Sequence, residues 1–455
     1  MIRRIAAHLL LLSALSGAAP AVAVPAIPAR PLGAVGAAGP GTAPARVPSG
    51  TSPAQQAFDE VAGWLRSDYG GLSAVDRSAL VREYQARLLA VCQGQGLNCP
   101  AETAYPVIEA QLTALGDPHT FLYWPDEYQD FVSSALGGER LQFGVKLAEL
   151  QGERRLVTEV VPGSSAERAG LRRGDVLQLL DTRPYRYSDL TDAREAGRSI
   201  TLGVDRQGQR LSVRLTATRT AAADPPRLSW VGSGTPAAGR TAVIRIPTFL
   251  SAGEVAARVH EQVAQARSGG AGGVVVDLRG NTGGSLLECD LAASAFVPEF
   301  SRVAHSAGRQ VGTRVAGGRR WDNGVLVGRV SRPQLWRGPL AVLVDEGSAS
   351  CAEFFAYEVQ RSGAGTVVGS PTSGVGNTAT RVFPLVGGAG LQLTTLHYSK
   401  PGGQAYPVQV QPDLKAQSGE AFLQALAQGR DLTLEAGLQS LRRQSLARGT
   451  LQRAE

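Results

Sequence analysis

The chain has 455 residues, which is enough for two or three domains that each bury their own core. Its formal charge of +7 comes almost wholly from arginine, since Lys146, Lys400 and Lys415 are the only lysines. No dense basic run with interleaved aromatic residues occurs, so the composition argues against nucleic-acid binding.

The first 23 residues predict export. Arg3 and Arg4 precede an apolar stretch from Ile5 to Leu15, and residues 21–23 form a small-x-small cleavage site. The stretch is about half the roughly 20 residues that a membrane-spanning helix needs. We therefore predict a signal peptide, a periplasmic or secreted protein, and no integral membrane span after cleavage. An uncleaved N-terminal anchor is the alternative.

Residues 24–53 are rich in Pro, Ala and Gly and predict a flexible linker. An N-terminal helical domain is expected over residues 54–136, because apolar residues such as Leu80, Tyr84 and Leu88 recur at helical spacing. In an exported protein, Cys92 and Cys99 are candidates for a local disulfide. Cys289 and Cys351 form the other pair, which is either a second disulfide or two free thiols.

A second unit, residues 137–219, alternates short strand-like runs with turns and contains one short helical patch. Its FGV at residues 143–145 and its VVPGSSAERAGLRRGDVLQLLD at residues 160–181 resemble a PDZ domain of the bacterial protease kind. The resemblance implies that backbone amides near Phe143, Gly144 and Val145 receive the carboxylate of a bound chain end. The alternative is a small β-barrel that only packs between its neighbours.

The third unit, residues 228–433, alternates strands and helices and predicts an α/β domain. Short β-branched runs at residues 242–246, 273–278 and 340–344 indicate buried strands, and residues 253–267 indicate an amphipathic helix. The remaining residues, 434–455, are rich in Arg and Gln and predict a helical or frayed tail.

Three motifs stand in the order found in the tail-specific (C-terminal processing) serine peptidases, around a PDZ unit. They are LGDPHT at residues 115–120, VVVDLRGNTGG at residues 274–284 and LVDEGSASCAEFFAYEV at residues 343–359. The chain resembles that family over roughly residues 54–415. The resemblance implies a multidomain α/β protein with a peptidase core of the ClpP/crotonase-like kind.

The same resemblance assigns the site residues. Ser350, at the start of a helix, is the expected nucleophile, because a helix N-terminus favours negative charge on an attacked carbonyl. Gly283 or Gly284 and Cys351 are expected to donate the amides of the oxyanion hole. The alternatives are an ordinary strand-to-helix turn at the glycines and a serine that only caps its helix.

The sequence departs from the family where the proton acceptor belongs. The usual lysine, 25 positions after the serine, is Val375, and the usual supporting glutamine is Ala379. The acidic position eleven residues after the serine is Arg361. A valine cannot accept a proton, so the mechanism is either replaced or lost.

Three possibilities remain open for the base. His119 of LGDPHT matches the histidine that serves as base in tricorn-core relatives, and a pKa of about 6.5 suits that work. Asp117 or another carboxylate could orient it, although the acidic position of those relatives is Tyr406 here. Lys400 is the second possibility, and no competent base is the third. His397, in a predicted strand, is expected to be structural.

The sequence therefore predicts an exported serine endopeptidase that binds protein C-termini or unfolded chains and cleaves peptide bonds. The alternative is a catalytically inactive pseudopeptidase that acts as a peptide-binding module. A thiol mechanism through Cys351 is a third reading. No zinc motif and no phosphate-binding loop occurs in the sequence, so we expect neither a metal nor another cofactor.

Overall fold

The structure is a computed structural model that describes residues 50–150, 152–232, 240–250, 253–306 and 308–451. The predicted signal peptide and most of the predicted linker lie outside these ranges. Within them, no helix is long and apolar enough to cross a membrane. The same residues contain no group of three or more His, Cys, Asp or Glu side chains arranged to hold a metal ion.

Four helices and one short strand form the N-terminal part. They are α1 (Pro53–Ser67), α2 (Arg77–Val91), α3 (Ala101–Leu115), β1 (Phe121–Tyr123) and α4 (Pro125–Leu136). The helix starts are encoded locally, since Ser52 Oγ accepts the Gln55 amide of α1 and Asp76 caps α2 in the same way. The predicted disulfide between Cys92 and Cys99 is confirmed, and it closes the connection between α2 and α3.

The second part is built mainly from antiparallel strands. Its elements are β2 (Glu139–Gln142), β3 (Val145–Glu149), β4 (Arg155–Val160), α5 (Ser165–Arg168), β5 (Val176–Leu180), β6 (Arg183–Pro184), α6 (Tyr187–Glu195), β7 (Ser199–Arg206), β8 (Gln209–Thr216) and β9 (Thr218–Ala221). The main sheet has the order β3-β4-β5-β7-β8, with β6 on β5, while β2 pairs with β9. Val157, Leu177 and Leu202 are buried in its own core.

The third part contains all remaining elements. In chain order they are β10 (Arg227–Val231), β11 (Thr241–Arg245), α7 (Val255–Ser268), β12 (Gly273–Asp277), α8 (Leu286–Ala293), β13 (Glu299–Ser306), β14 (Arg309–Ala316), β15 (Arg319–Asp322), β16 (Val325–Arg329), β17 (Leu340–Val344), α9 (Cys351–Arg361), β18 (Thr366–Gly369), β19 (Thr378–Pro384), β20 (Gly390–Ser399), β21 (Leu414–Lys415), α10 (Gly419–Ala427) and α11 (Leu432–Leu451). The strands predicted at residues 242–246, 273–278 and 340–344 correspond to β11, β12 and β17. The predicted amphipathic helix corresponds to α7.

A six-stranded sheet of order β10-β11-β12-β17-β18-β21 forms the centre of this part, and it is parallel except for β10 at its edge. Every residue of β12 and β17 is buried, as expected for strands covered on both faces. Val274 and Val276 pack with α7, α8 and α9, whereas Val275 faces Leu441 of α11. The segment predicted to be a tail thus provides one of the two covering layers.

The second sheet of this part joins the N-terminal helices to the core. Its order is β1-β20-β13-β14-β15-β16, with β19 also paired to β20. Phe383 of β19 and Leu391 of β20 share a hydrophobic cluster with Phe58 of α1 and Ile108 of α3. Because β1 pairs with β20, the loop between α3 and β1, which carries His119, lies close to β19.

Candidate active site

Ser350 begins α9 with a strained backbone. Its φ is 54° and its ψ is −115°, a conformation that residues other than glycine rarely adopt. Three other non-glycine residues in the described ranges have a positive φ, and all three lie in turns between paired strands. They are Asp181, Gln207 and Asn323. Ser350 alone combines this strain with a helix start, and strain of this kind is concentrated at functional sites.

The two serines of the GSAS segment have different environments. Ser348 is fully buried, and its Oγ donates to the carbonyl of Leu278 at 2.9 Å and accepts the amide of Asp345 at 3.0 Å. Ser350 is only partly buried, and its hydroxyl donates no hydrogen bond to any residue that the structure describes. Ser348 is therefore occupied in holding the loop, whereas the hydroxyl of Ser350 is available.

The glycine turn after β12 packs against Ser350. Asn281 links the two segments, because its Oδ1 accepts the amide of Gly283 at 2.8 Å and its carbonyl accepts the amide of Ala349 at 2.9 Å. A Cβ added to Gly283 would lie 2.8 Å from Cβ of Ser350 and 3.1 Å from the amide nitrogen of Cys351. A side chain at residue 283 would therefore fill the space beside the hydroxyl and the first amide of α9.

Two amides at this point are unpaired within the described residues. The N–H groups of Gly284 and Cys351 make no hydrogen bond there, whereas that of Gly283 is already donated to Asn281. Of the three expected oxyanion donors, Gly284 and Cys351 thus have amides free to bind an anionic oxygen. The role of all three residues stays a prediction.

Glu353 is a buried residue that the sequence interpretation missed. Its Oε2 accepts the amides of Ser350 at 2.9 Å and Val375 at 3.0 Å. Its Oε1 accepts the amide of Gly374 at 2.9 Å and the hydroxyl of Thr372 at 2.6 Å. Burial raises the pKa of Glu353, while these donors oppose the rise. The serine-x-x-glutamate spacing of a capping box was the signal that could have identified it.

Glu353 therefore fixes the segment before β19 next to the nucleophile. Because one carboxylate oxygen binds the amides of both Ser350 and Val375, the segment that carries Val375 lies beside Ser350. Val375 is buried, with 7% of its surface exposed. The expectation that residue 375 occupies the position of the family's lysine stays a prediction.

Lys400, the second candidate base, and the residues at the two acidic positions, Arg361 and Tyr406, have contacts of their own. Lys400 holds its Nζ 5.4 Å from the ring centroid of Tyr357. Arg361 donates from Nε to Glu358 at 2.6 Å, and the hydroxyl of Tyr406 donates to the same carboxylate. Burial raises the pKa of Glu358 to about 7, against the effect of Arg361. Arg361 and Tyr406 therefore serve a buried carboxylate of α9.

His119 is buried and hydrogen-bonded through one ring nitrogen. Its Nδ1 lies 2.8 Å from Oγ1 of Thr378, and its Nε2 makes no hydrogen bond within the described ranges. Burial lowers the pKa of His119 to about 4, and Asp117 opposes that change. The imidazole is thus neutral at pH 7, although no hydrogen bond joins it to Ser350 among the described residues.

The expectation that a carboxylate orients this imidazole is wrong. Asp117 accepts the main-chain amide of His119 at 3.0 Å and the hydroxyl of Thr120 at 3.0 Å, so both of its oxygens hold the loop. The ring nitrogen binds Thr378 instead. His397, expected to be structural, lies in β20 and bonds the carbonyl of Gly70 through Nδ1 at 2.9 Å.

Cys289 and Cys351 are free thiols, which resolves the question left open by the sequence. Both are buried, and the two side chains contact each other between α8 and α9. Burial raises the pKa of Cys289 well above its usual range, and its neighbour Cys351 adds to the rise. Sγ of Cys351 points to the carbonyl of Gly284 at 3.2 Å.

The loop between β2 and β3 has the features expected for binding a carboxylate. The main-chain N–H groups of Phe143 and Gly144 make no hydrogen bond within the described part of the chain, and Gly144 has a φ of 83°. The carbonyl of Phe143 accepts the amide of Ala166 at 3.0 Å and the hydroxyl of Ser165 at 3.2 Å. Helix α5 therefore holds the loop in position. Val145 begins β3, which pairs with β4.

Ion pairs connect this second part to the third part and its glycine turn. Arg245 of β11 pairs with Glu159 of β4 at 3.0 Å. Asp431 accepts from Arg279 of the VVVDLRGNTGG motif at 2.7 Å and from Arg173 at 3.2 Å. Although burial opposes ionisation of Glu159, Arg245 and other cations keep its pKa below the usual range. The Glu159–Arg245 and Arg173–Asp431 ion pairs therefore join the second part to the third part.

Comparisons with known proteins place part of the chain in a peptidase family. Residues 240–416 match the model of peptidase family S41. The carboxyl-terminal-processing protease of Synechocystis sp. is 29% identical over 310 residues, which cover 66% of this chain and 67% of that protein. The chloroplastic carboxyl-terminal-processing peptidase 2 of Arabidopsis thaliana is 29% identical over 324 residues, which cover 68% of this chain and 59% of that protein.

The chain thus spans about three fifths to two thirds of the length of these two relatives. The fold also resembles a solved structure described as an S41 protease from Bacteroides fragilis NCTC 9343, with a TM-score of 0.52 and 16% identity. That likeness covers 72% of this chain and 90% of the other. At this identity the likeness concerns the mixed α/β fold.

Proposed function

This chain carries a peptidase family S41 domain and is related to the carboxyl-terminal-processing serine peptidases, and from that premise we propose that it is an exported serine endopeptidase with Ser350 as its nucleophile. Its substrates are polypeptides, taken as protein C-termini or unfolded chains. Residues 137–219 act as a PDZ domain that captures the chain end, and the cleavage site lies between α9 and the glycine turn.

The observation that carries this proposal is the strained start of α9. Ser350 has a hydroxyl that donates to no described residue, and Gly283 leaves open the space beside it. The unpaired amides of Gly284 and Cys351 are suited to stabilise the oxyanion that forms when Ser350 attacks a peptide carbonyl. Holding a non-glycine residue in such a conformation costs about 1–3 kcal/mol, which a purely structural helix cap does not require.

His119 is the group that we assign as general base. It is the histidine of the LGDPHT motif, it is neutral at pH 7, and its Nε2 is not engaged within the described residues. In the reaction, Nε2 takes the proton of Ser350 and later returns it to the leaving amine. The hydrogen bond from Ser350 to His119 forms when substrate is bound, since such bonds are often long in free enzymes.

The binding of chain ends rests on the loop of Phe143, Gly144 and Val145. Two unpaired amides next to an extended strand match the way in which PDZ domains bind a terminal carboxylate and add the peptide to a sheet. Export rests on the sequence of residues 1–23. N-terminal sequencing of the protein recovered from its host tests it, and a chain that begins at residue 24 is expected.

A second candidate function, an inactive peptide-binding relative, rests on one feature of the sequence. Val375 fills the position of the family's lysine, and Ala379 replaces the supporting glutamine. A chain that has lost its base would keep the fold and bind peptides without cleaving them. This inactive relative is the alternative against which activity must be measured.

Hydrolysis of an unfolded protein, such as reduced and alkylated casein, separates these functions. We expect the wild-type chain to cleave it and Ser350→Ala to lose activity by a factor of about 10³ or more, because removal of a nucleophile abolishes the covalent step. Cys351→Ser serves as the matched control, since it tests the thiol reading at the adjacent residue. If Ser350→Ala cleaves as fast as wild type, the serine mechanism is refuted, and a wild-type chain without activity supports the binding function.

A further inference from the structure

Thr378 is the residue that contacts the imidazole of His119. The distance from Nδ1 of His119 to Oγ1 of Thr378 is 2.8 Å, and each of the two residues has 6% of its surface exposed. No other side chain in the described ranges forms a hydrogen bond to this ring. A hydroxyl therefore occupies the place where many serine hydrolases have a carboxylate.

The direction of this hydrogen bond follows from the second partner of the Thr378 hydroxyl. Oγ1 of Thr378 also lies 3.4 Å from the carbonyl oxygen of Val375, which can only accept. The hydroxyl proton is thus directed to that carbonyl, and the oxygen lone pair is left to accept the Nδ1 proton of His119. The consequence is a neutral imidazole whose Nε2 carries a lone pair, which is the tautomer that a base requires.

The same segment is tied to the nucleophile. The amide of Val375 and the amide of Ser350 bind the same carboxylate oxygen of Glu353, at 3.0 Å and 2.9 Å. Thr378 follows Val375 by one turn and donates its amide to the carbonyl of Val375. Any shift of Thr378 is therefore limited by the helix that begins at Ser350.

We infer that Thr378 is a positioning residue, which holds the proton of His119 on Nδ1 and so keeps Nε2 available to take the proton of Ser350. The inference deepens the proposed function and rests on it. It accounts for a serine site without the family's lysine, because the residue that orients the base comes from the same segment in which the lysine has become Val375.

The test compares two substitutions at residue 378. Thr378→Val keeps the shape and removes the hydroxyl, and we expect it to lower kcat by about tenfold, which corresponds to about 1.4 kcal/mol for one neutral hydrogen bond, with KM unchanged. Thr378→Ser should recover most of that loss. Thr380→Val is the matched control, since Thr380 lies in the same strand, is half-buried, and makes no side-chain hydrogen bond in the described ranges.

Two further measurements decide between a positioning role and a structural one. In a His119→Ala background, Thr378→Val should cause no additional loss, because Thr378 acts through the imidazole. The ¹⁵N signals of His119 in the full chain should report the proton on Nδ1, and this readout does not depend on activity. A proton on Nε2, or an undiminished effect of Thr378→Val without His119, overturns the inference.

Ser350→Ala measured in parallel separates the two claims. If it retains full activity, the serine mechanism itself fails. If it is inactive while Thr378→Val is as active as Thr380→Val, only the role of Thr378 is refuted. Should Thr378→Val fail to fold, the tautomer measured in the wild-type chain and the activity of Thr378→Ser decide the question.

Discussion

Replacement of Glu353 by glutamine tests whether this buried carboxylate holds the active-site loop together. The carboxylate accepts four hydrogen bonds, two on each oxygen, from three amides and one hydroxyl. A glutamine side chain has one acceptor oxygen, so its NH₂ group must face two of the four donors. If it faces Thr372 and Gly374, the hydroxyl of Thr372 can turn and accept from the NH₂ group, which leaves only the amide of Gly374 without an acceptor. An unpaired buried donor costs about 1–3 kcal/mol. We therefore expect Glu353→Gln to lower the free energy of unfolding by roughly 1–3 kcal/mol, out of the about 5–15 kcal/mol that a folded protein has.

Urea denaturation followed by tryptophan fluorescence measures this change. The matched control is Glu299→Gln, since Glu299 is an exposed glutamate that binds one cation, Arg314, at 2.7 Å. An exposed ion pair contributes about 0–1 kcal/mol, so the control should unfold close to the wild-type midpoint. If the two variants unfold at the same urea concentration, Glu353 does not stabilise the loop and the reasoning is refuted.

Three other predictions concern the chemistry of the site. Burial lowers the pKa of His119 to about 4, and only the neutral ring accepts a proton. We therefore expect kcat/KM to rise with pH through about pH 4 and to be nearly constant at pH 6. A midpoint near 6.5 in the pH profile would contradict this. Val375→Lys places an amine at the expected position of the family's lysine, where burial lowers the pKa of the amine. The double variant His119→Ala/Val375→Lys should therefore cleave casein faster than His119→Ala. Equal rates would contradict the assignment of residue 375. In the native protein, Cys289 and Cys351 should resist iodoacetamide because both are buried. Mass spectrometry should find these cysteines alkylated only after denaturation. Rapid labelling of the native protein with loss of activity would instead favour a thiol mechanism.

Much of the scaffold could be predicted from the sequence because its signals are local. The β-branched run that forms β12 and the run that forms β17 are continuous apolar segments of strand length, and buried parallel strands have this pattern. The helix start at Ser350 was expected from the LVDEGSASCAEFFAYEV motif, and α9 begins at Cys351. The covering role of α11 was missed because its Arg- and Gln-rich composition indicates a tail, although Leu434, Leu438 and Leu441 recur at helical spacing.

The candidate site was less predictable because its hydrogen bonds join distant parts of the chain. Thr378 lies 259 residues after His119, and no spacing rule connects the two. Asp117 was the nearer candidate for orienting the imidazole, yet its oxygens are used by the main chain of its own loop. Glu353 was easier to predict, since it lies three residues after Ser350 in a capping-box pattern. Its hydrogen bonds to Thr372, Gly374 and Val375, however, depend on the tertiary fold.

Covalent trapping of the nucleophile tests the central claim most directly. The full chain is treated with a fluorophosphonate, and the modified residue is located by peptide mapping with mass spectrometry. An activated Ser350 should carry the single adduct, and prior unfolding or the His119→Ala substitution should prevent or slow its formation. An active chain that is labelled at another residue, or not labelled at all, would contradict the assignment of Ser350.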